Sequence, residues 1–146
     1  MPQLNGRLYL KTLQDKVVIR RDRWGIPHIK AKTRHDLFLA QGFVHAQDRL
    51  WQMELNRRAA TGTLSEIFGP ITLDTDRLSR TFGFARLAKA TLSQLEDQAR
   101  VDLTAYTAGV NNFLEKQTVL PLEFAILQHN PQPWELVDSL AYAHLQ

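Results

Sequence analysis

Apolar and polar residues alternate over residues 6–12, with Leu8 and Leu10 set against Arg7 and Tyr9, and this period of two predicts a short strand. Residues 16–20, Lys-Val-Val-Ile-Arg, predict a second strand. Asp22-Arg23-Trp24-Gly25 has turn chemistry, with Asp opening and Gly closing. Ile26-Pro27-His28-Ile29 predicts a third extended piece. Pro27 has no N–H for a ladder, so it marks an edge or a bulge. Past residue 31 the period lengthens to three or four. Thr33-Arg34-His35-Asp36 resembles a capping box with Asp in place of Glu, and opens a helix over residues 36–60. The inner stripe of that helix is Phe43, Ala46, Leu50, Met53 or Glu54, and Arg57, flanked by Leu39, Trp51 and Leu55. Phe43 and Trp51 are expected to be buried, and Gly62 to serve as C-cap.

A short helix over residues 64–68 stops at Gly69-Pro70. Thr72 or Asp74 can cap a longer one running through Leu87 to Leu92, with Gly83 as its weak point. Residues 97–116 predict a helix with Val101, Tyr106, Val110 and Phe113 on or near one face. Pro121 starts a short helix over residues 122–128, and residues 129–133, His-Asn-Pro-Gln-Pro, form a stiff connector. The last helix opens at Trp134-Glu135, with Glu135 in a first turn whose dipole favours an acid. It stays apolar to Gln146 without Gly, Asn or a basic residue to close it, so the polypeptide is expected to continue. The fold class is α+β: N-terminal strands over residues 1–31 and a helical region over 32–146, a single segment expected to be cut short at its C-terminal end.

Composition narrows the functional classes. Of 146 residues, 44% are hydrophobic and 23% charged, which suits a packed globular chain rather than a disordered one. With no cysteine, thiolate nucleophiles, disulfides and cysteine metal sites are excluded. No apolar run approaches a membrane span, so no membrane partner is expected. Residues 1–6 lack the apolar core of a secretory signal. The net charge of +3 is uneven: Lys16, Arg20, Arg21, Arg23, Lys30, Lys32 and Arg34 crowd one stretch. Such a stripe is a solvated strand face or a surface for nucleic acid or an acidic partner. No helix-turn-helix, zinc finger or aromatic sheet motif accompanies it, so no nucleic-acid partner is expected.

Residue chemistry offers little that could act alone. His45 and Asp48, at i and i+3, share a helix face, while His35 lies nearly opposite. No metal spacing is matched, and a surface hydrogen-bonding pair is the expectation. Ser65, Ser79, Ser93 and Ser139 lie outside any Gly-x-Ser-x-Gly elbow. The seven glycines are scattered and make no phosphate loop.

Longer patterns are more specific. Residues 21–29, Arg-Asp-Arg-Trp-Gly-Ile-Pro-His-Ile, are followed by Asp36-Leu37-Phe38. Next come residues 40–54, Ala-Gln-Gly-Phe-Val-His-Ala-Gln-Asp-Arg-Leu-Trp-Gln-Met-Glu, then Arg57-Arg58-Ala59-Ala60-Thr61-Gly62 and Leu64-Ser65-Glu66. Asp76-Arg77, Arg80, Gly83-Phe84, Tyr106, Gly109-Val110-Asn111, residues 120–124, and Pro133-Trp134 with Asp138 complete the set. The whole resembles the opening of the penicillin acylase family, whose members cleave acyl amides such as β-lactam side chains and acyl-homoserine lactones.

The resemblance implies an α-chain portion whose N-terminal strands join the αββα sandwich of an N-terminal-nucleophile hydrolase. It implies a partner β chain, cut from the same precursor, with an N-terminal Ser as nucleophile and its own α-amine as base. It implies a small acyl amide as substrate, a periplasmic or extracellular setting, no organic cofactor, and a possible calcium ion bound mainly outside this chain. No catalytic or metal residue is carried over. Ala143 and His144 lie one turn short of the positions where the family places pocket residues, so they are the substrate-binding candidates, against ordinary packing or surface. The alternative is a non-catalytic helical interaction module that shares ancestry with acylases.

Overall fold

The computed structural model describes residues 5–117 and 119–146. Residues 1–4, on which part of the signal-peptide reading and the character of Met1 rest, lie outside the described residues. The element order is β1 (Val18–Arg21), β2 (Pro27–Lys30), α1 (Arg34–Thr61), α2 (Ser65–Phe68), a 3-10 turn (Gly69–Thr72), α3 (Leu73–Phe82), α4 (Phe84–Gln94), α5 (Asp97–Lys116), α6 (Leu122–Ile126) and α7 (Leu136–Leu145). The chain is mostly helical. It divides into two compact units, one formed by the chain up to Asp48 with Asp97–Val119, the other by Arg49–Glu96 with Leu120–Gln146. The division falls where α1 leaves helical geometry, at Arg49 (φ −139°, ψ 24°). Neither glycine nor proline adjoins that break, so it carries no mark in the sequence.

In the first unit β1 and β2 pair antiparallel, with Val18 opposite Lys30 and Arg21 opposite Pro27. Pro27 is the first residue of its strand, where a missing N–H costs least. The turn is held by the Asp22 carboxylate, which accepts from Trp24 N at 2.8 Å and Ile26 N at 3.0 Å, and Gly25 takes φ +80°. The hairpin is fastened by Arg21, which donates to both oxygens of Asp48 (2.8 and 2.7 Å) and to Gln47 Oε1 (2.8 Å). Helices α1 and α5 approach backbone to backbone. A Cβ on Gly42 would overlap the Tyr106 carbonyl, and one on Gly109 the Leu39 carbonyl. Around this crossing lie Leu39, Ala40, Phe43, Val44, Ala105, Val110 and Phe113, all buried, with Phe43 edge-on to Phe113 at 5.5 Å.

Several expectations are corrected here. Residues 6–12 form no strand: alternation alone gives no ladder partner, and Tyr9 is 82% exposed. The capping box is half made. Thr33 Oγ1 accepts from Asp36 N at 3.1 Å, but the Asp36 carboxylate takes the N–H groups of Gln14 and Asp15, each at 2.9 Å. That grip ties the irregular N-terminal stretch to α1. Val101 is exposed, and α5 instead buries Asp102 against Arg34.

In the second unit α4 and α7 pack together, and Ala60, Ala88 and Ala141 form a close cluster with Leu140 and Leu145 against it. Gly62 (φ +67°) ends α1 as expected. The helix expected to reach Leu92 breaks at Gly83, whose φ of +76° makes it both C-cap of α3 and start of α4. Helix α6 stops at Ile126 rather than at residue 128. Glu135 is the N-cap of α7 in a reciprocal capping box with Asp138 rather than a first-turn residue. Glu54, not Met53, takes the inner stripe, and Trp51 is only half-buried, edge-on to buried Phe124 at 5.1 Å. A rotation of one residue along the stripe follows once Arg57 needs a buried anion.

Candidate functional site

The substrate-binding candidates Ala143 and His144 lie exposed on the last turn of α7, where His144 Nε2 meets Thr91 Oγ1 at 2.9 Å. His45 and Asp48 do not pair. Asp48 is taken by Arg21, and His45 Nδ1 meets the Tyr106 hydroxyl at 3.1 Å with the rings edge to face. Burial lowers the His45 pKa against the pull of Asp48, and burial pushes the Tyr106 phenol up to about 12. The pair is therefore held together uncharged near neutrality. His28 meets Asp22 and His35 meets Asp36, each within the hairpin or at the start of α1.

The serines are used locally. Ser65 Oγ donates to Asp76 at 2.5 Å, and that carboxylate also accepts from Leu64 N and Ser65 N. Ser93 Oγ donates to Ala90 O, and Ser139 Oγ accepts from Trp134 Nε1 at 2.9 Å. Ser79 is buried in α3. Among the described residues no serine is hydrogen-bonded to a histidine, and the Ser65 hydroxyl is committed to Asp76. The basic stripe is partly consumed as well: Arg21, Lys32 and Arg34 pair with Asp48, Asp15 and Asp102. A calcium ion needs six to eight oxygens. No cluster of three or more His, Asp or Glu gathers among the described residues, and Asp36, Asp76 and Asp102 are already hydrogen-bonded. These residues do not fit calcium.

The densest polar cluster was not foreseen as a site. Glu54 is 2% exposed and accepts from Arg57 Nη2, from Arg58 Nε at 2.7 Å, and meets His129 Nε2 at 2.9 Å. Burial pushes its carboxyl up, but the guanidiniums of Arg57 and Arg58 and the bond to His129 outweigh that and hold it below the ordinary range. Arg57 reaches on to Gln132 O (3.4 Å), Pro133 O (3.2 Å) and Asp138 Oδ2 (3.5 Å), with its guanidinium 5.5 Å from the Trp134 ring. Burial raises Asp138 above the ordinary range, against the Glu135 N–H and Arg57. The sequence signal was Arg57 on an otherwise apolar stripe, because a buried guanidinium requires an anion beside it. This cluster binds residues 54–58 to residues 129–138.

Large apolar side chains remain outside. Tyr9, Trp24 and Ile26 are exposed in the first unit, and Ile71, Leu78 and Phe82 in the second. Single exposed apolar residues are ordinary on a folded chain.

Comparisons with known proteins give the family of the chain. The profile of the family described as Penicillin amidase matches residues 16–146. The chain is 44% identical over 141 residues to penicillin acylase 2 proenzyme of a Pseudomonas species (strain SE83), covering 97% of this chain and 18% of that one. It is 35% identical over 140 residues to the acyl-homoserine lactone acylase QuiP of Pseudomonas aeruginosa, covering 95% and 16%. It is 34% identical over 128 residues to penicillin G acylase of Escherichia coli, covering 84% and 15%. A solved structure of thermostable penicillin G acylase from Alcaligenes faecalis matches with TM-score 0.78 and 27% identity, over 87% of this chain and 69% of that chain. The chain thus spans less than a fifth of the length of these curated relatives.

Proposed function

The chain belongs to the penicillin amidase family, and from that premise we propose that it is the α-chain portion of an acylase that hydrolyses an acyl amide with a nucleophile carried by a partner β chain. The relatives are acylases of penicillin and of acyl-homoserine lactone, which supports a β-lactam side chain, an acyl-homoserine lactone or a similar amide as substrate. The observation that carries the reading is a hydrolase-family match across residues 16–146 on a fold whose bonded serines serve only local contacts.

In this reading the chemistry is that of an N-terminal Ser on the β chain. A free α-amine titrates near neutrality, so it can take the hydroxyl proton as Oγ attacks the amide carbonyl. Donors fixed on the β chain stabilise the oxyanion, and any calcium is held there too. The present chain supplies scaffold. The four-residue strands β1 and β2 are too short to stand alone as a sheet, and joining the partner's sheet gives their open edges a ladder. Helix α7 brings Ala143 and His144 toward the acyl pocket. The alternative, a stand-alone interaction module, is favoured by the same exposed apolar residues but leaves the family match without a chemical role.

The test is expression of the chain with its natural downstream coding sequence. Co-purification with a second polypeptide beginning at Ser, and release of a chromogenic amine from acyl-anilides by the pair alone, are the expected results. A pair inactive on every acyl-anilide and acyl-homoserine lactone tried would leave the interaction module standing.

A further inference from the structure

The buried cluster lies at the root of α7, and its geometry decides where that helix points. Arg57 donates to the carbonyls of Gln132 and Pro133 and faces Asp138, whose Oδ2 also accepts the Glu135 N–H at 2.8 Å. Trp134 lies beneath the same guanidinium and bonds Ser139 through Nε1. These contacts lie within residues 132–139, and those of Gln132, Pro133, Trp134 and Asp138 meet at Arg57. Arg57 in turn is fixed by Glu54, which is shared with Arg58 and His129. Farther along, α7 rests on α4 through Ala88 and Ala141, with Leu140 and Leu145 packed beside them and His144 Nε2 2.9 Å from Thr91 Oγ1, so the root sets the angle at which the helix meets that seat.

Leverage gives the root its importance. Ala143 and His144 stand seven and eight residues beyond Leu136, about 11 Å along the axis at 1.5 Å per residue. A tilt of about 10° at the root moves that turn by roughly 2 Å, and misplacements of about 1 Å at a binding site are worth up to a hundredfold. We propose that Glu54 is a positioning residue for substrate binding: by holding Arg57 it fixes the 132–138 bend, and through that bend the seat of Ala143 and His144. This inference rests on the reading of α7 as a pocket helix of an acylase.

The experiment uses the full-length processed enzyme with active sites titrated, and acyl-anilides of increasing acyl length. Glu54→Gln keeps the shape and removes the charge. It is expected to raise KM for the preferred acyl chain about tenfold, to flatten the dependence on acyl length, and to leave kcat per titrated site within about twofold. Unchanged KM and length preference per titrated site, with only a lower melting temperature, would overturn the proposal, because a purely structural role removes active molecules without altering those that remain. If Glu54→Gln yields no assembled enzyme, Asp138→Asn provides the same reading at the far end of the cluster, with a smaller KM rise expected and an unchanged KM overturning it. Ala143→Leu separates the two layers of the argument. If it shifts length preference while both cluster variants do not, the positioning role alone fails. If it shifts nothing, or the wild type cleaves no amide, the pocket reading fails and this inference with it.

Discussion

The crossing of α1 and α5 gives a prediction whose magnitude can be worked from geometry. Gly42→Ala places a methyl onto the Tyr106 carbonyl group, within 2.9 Å of its carbon and 3.2 Å of its Cα. Neither neighbour can rotate away, since both are helix backbone. The helices must part by about 1 Å, and a gap of that size forfeits between a quarter and a half of each dispersion contact across it. The contacts at stake belong to Leu39, Phe43, Val110 and Phe113, all buried. Overpacking of this kind costs typically about 1–3 kcal/mol, and with rigid backbone on both sides the upper end applies. Alanine returns about 1 kcal/mol of helix propensity. The net loss is about 2 kcal/mol, which lowers the melting temperature of a chain this size by several degrees.

The assay is a thermal melt of the assembled protein, read beside Gly109→Ala and the double variant. Gly109 meets the Leu39 carbonyl across the same crossing, so once one methyl has parted the helices the second costs less. The double variant should therefore lose clearly less than the sum of the single losses. Gly25→Ala is the contrast: nothing lies within 4 Å, and only its φ of +80° opposes a side chain, at about 1 kcal/mol. An unchanged or raised melting temperature for Gly42→Ala, as propensity alone would give, refutes the close crossing. Strict additivity with Gly109→Ala refutes the shared geometry.

The chain refolded alone should turn over no acyl-anilide, and activity above the buffer rate that Ser139→Ala abolishes would contradict the assignment of the nucleophile elsewhere. Phe43→Ala should cost about 3–5 kcal/mol and Trp51→Ala less, because Phe43 is buried and Trp51 only half so; denaturant midpoints of the assembled protein give the order. For Asp36, burial raises the carboxyl, but the Gln14 N–H, His35, Thr33 and the Asp15 N–H outweigh it, leaving its folded pKa below the unfolded value. Its stabilisation is thus present above the unfolded pKa near 4 and is lost as pH falls through the folded pKa, so Asp36→Asn should destabilise at pH 7 far more than at acid pH in melts across that range.

What was legible in the sequence was set by local rules. The Asp22–Gly25 turn, Gly62 as a cap and the extent of α5 follow from neighbouring residues. What was not legible depends on partners distant in sequence. Asp36 had the spacing of a capping residue, yet its carboxylate is claimed by backbone some twenty residues earlier. Asp48 had a histidine three residues away, yet Arg21 offers two charge-assisted bonds against one neutral one. Residues 6–12 had the alternation of a strand, but a strand is completed only by its neighbour. At the candidate site, Arg57 was visible on the inner stripe, while His129 and Asp138 entered only with the fold.

The residues that carry the family resemblance are, to a large degree, those that make these distant bonds. Arg21, Asp22 and Asp48 hold the hairpin, Glu54, Arg57, Arg58 and Asp138 hold the root of α7, and Asp76 holds the start of α2. Gly109 gives α5 its close approach. Each is matched to a specific partner, and at the root of α7 and the start of α2 the matched carboxylates, Glu54, Asp138 and Asp76, are buried, which gives the motif a structural reason to be specific. Removing one member of such a pair strands the other in a medium that cannot solvate it, at about 3–5 kcal/mol for a buried charge. Two acylases acting on different amides can therefore share this framework closely.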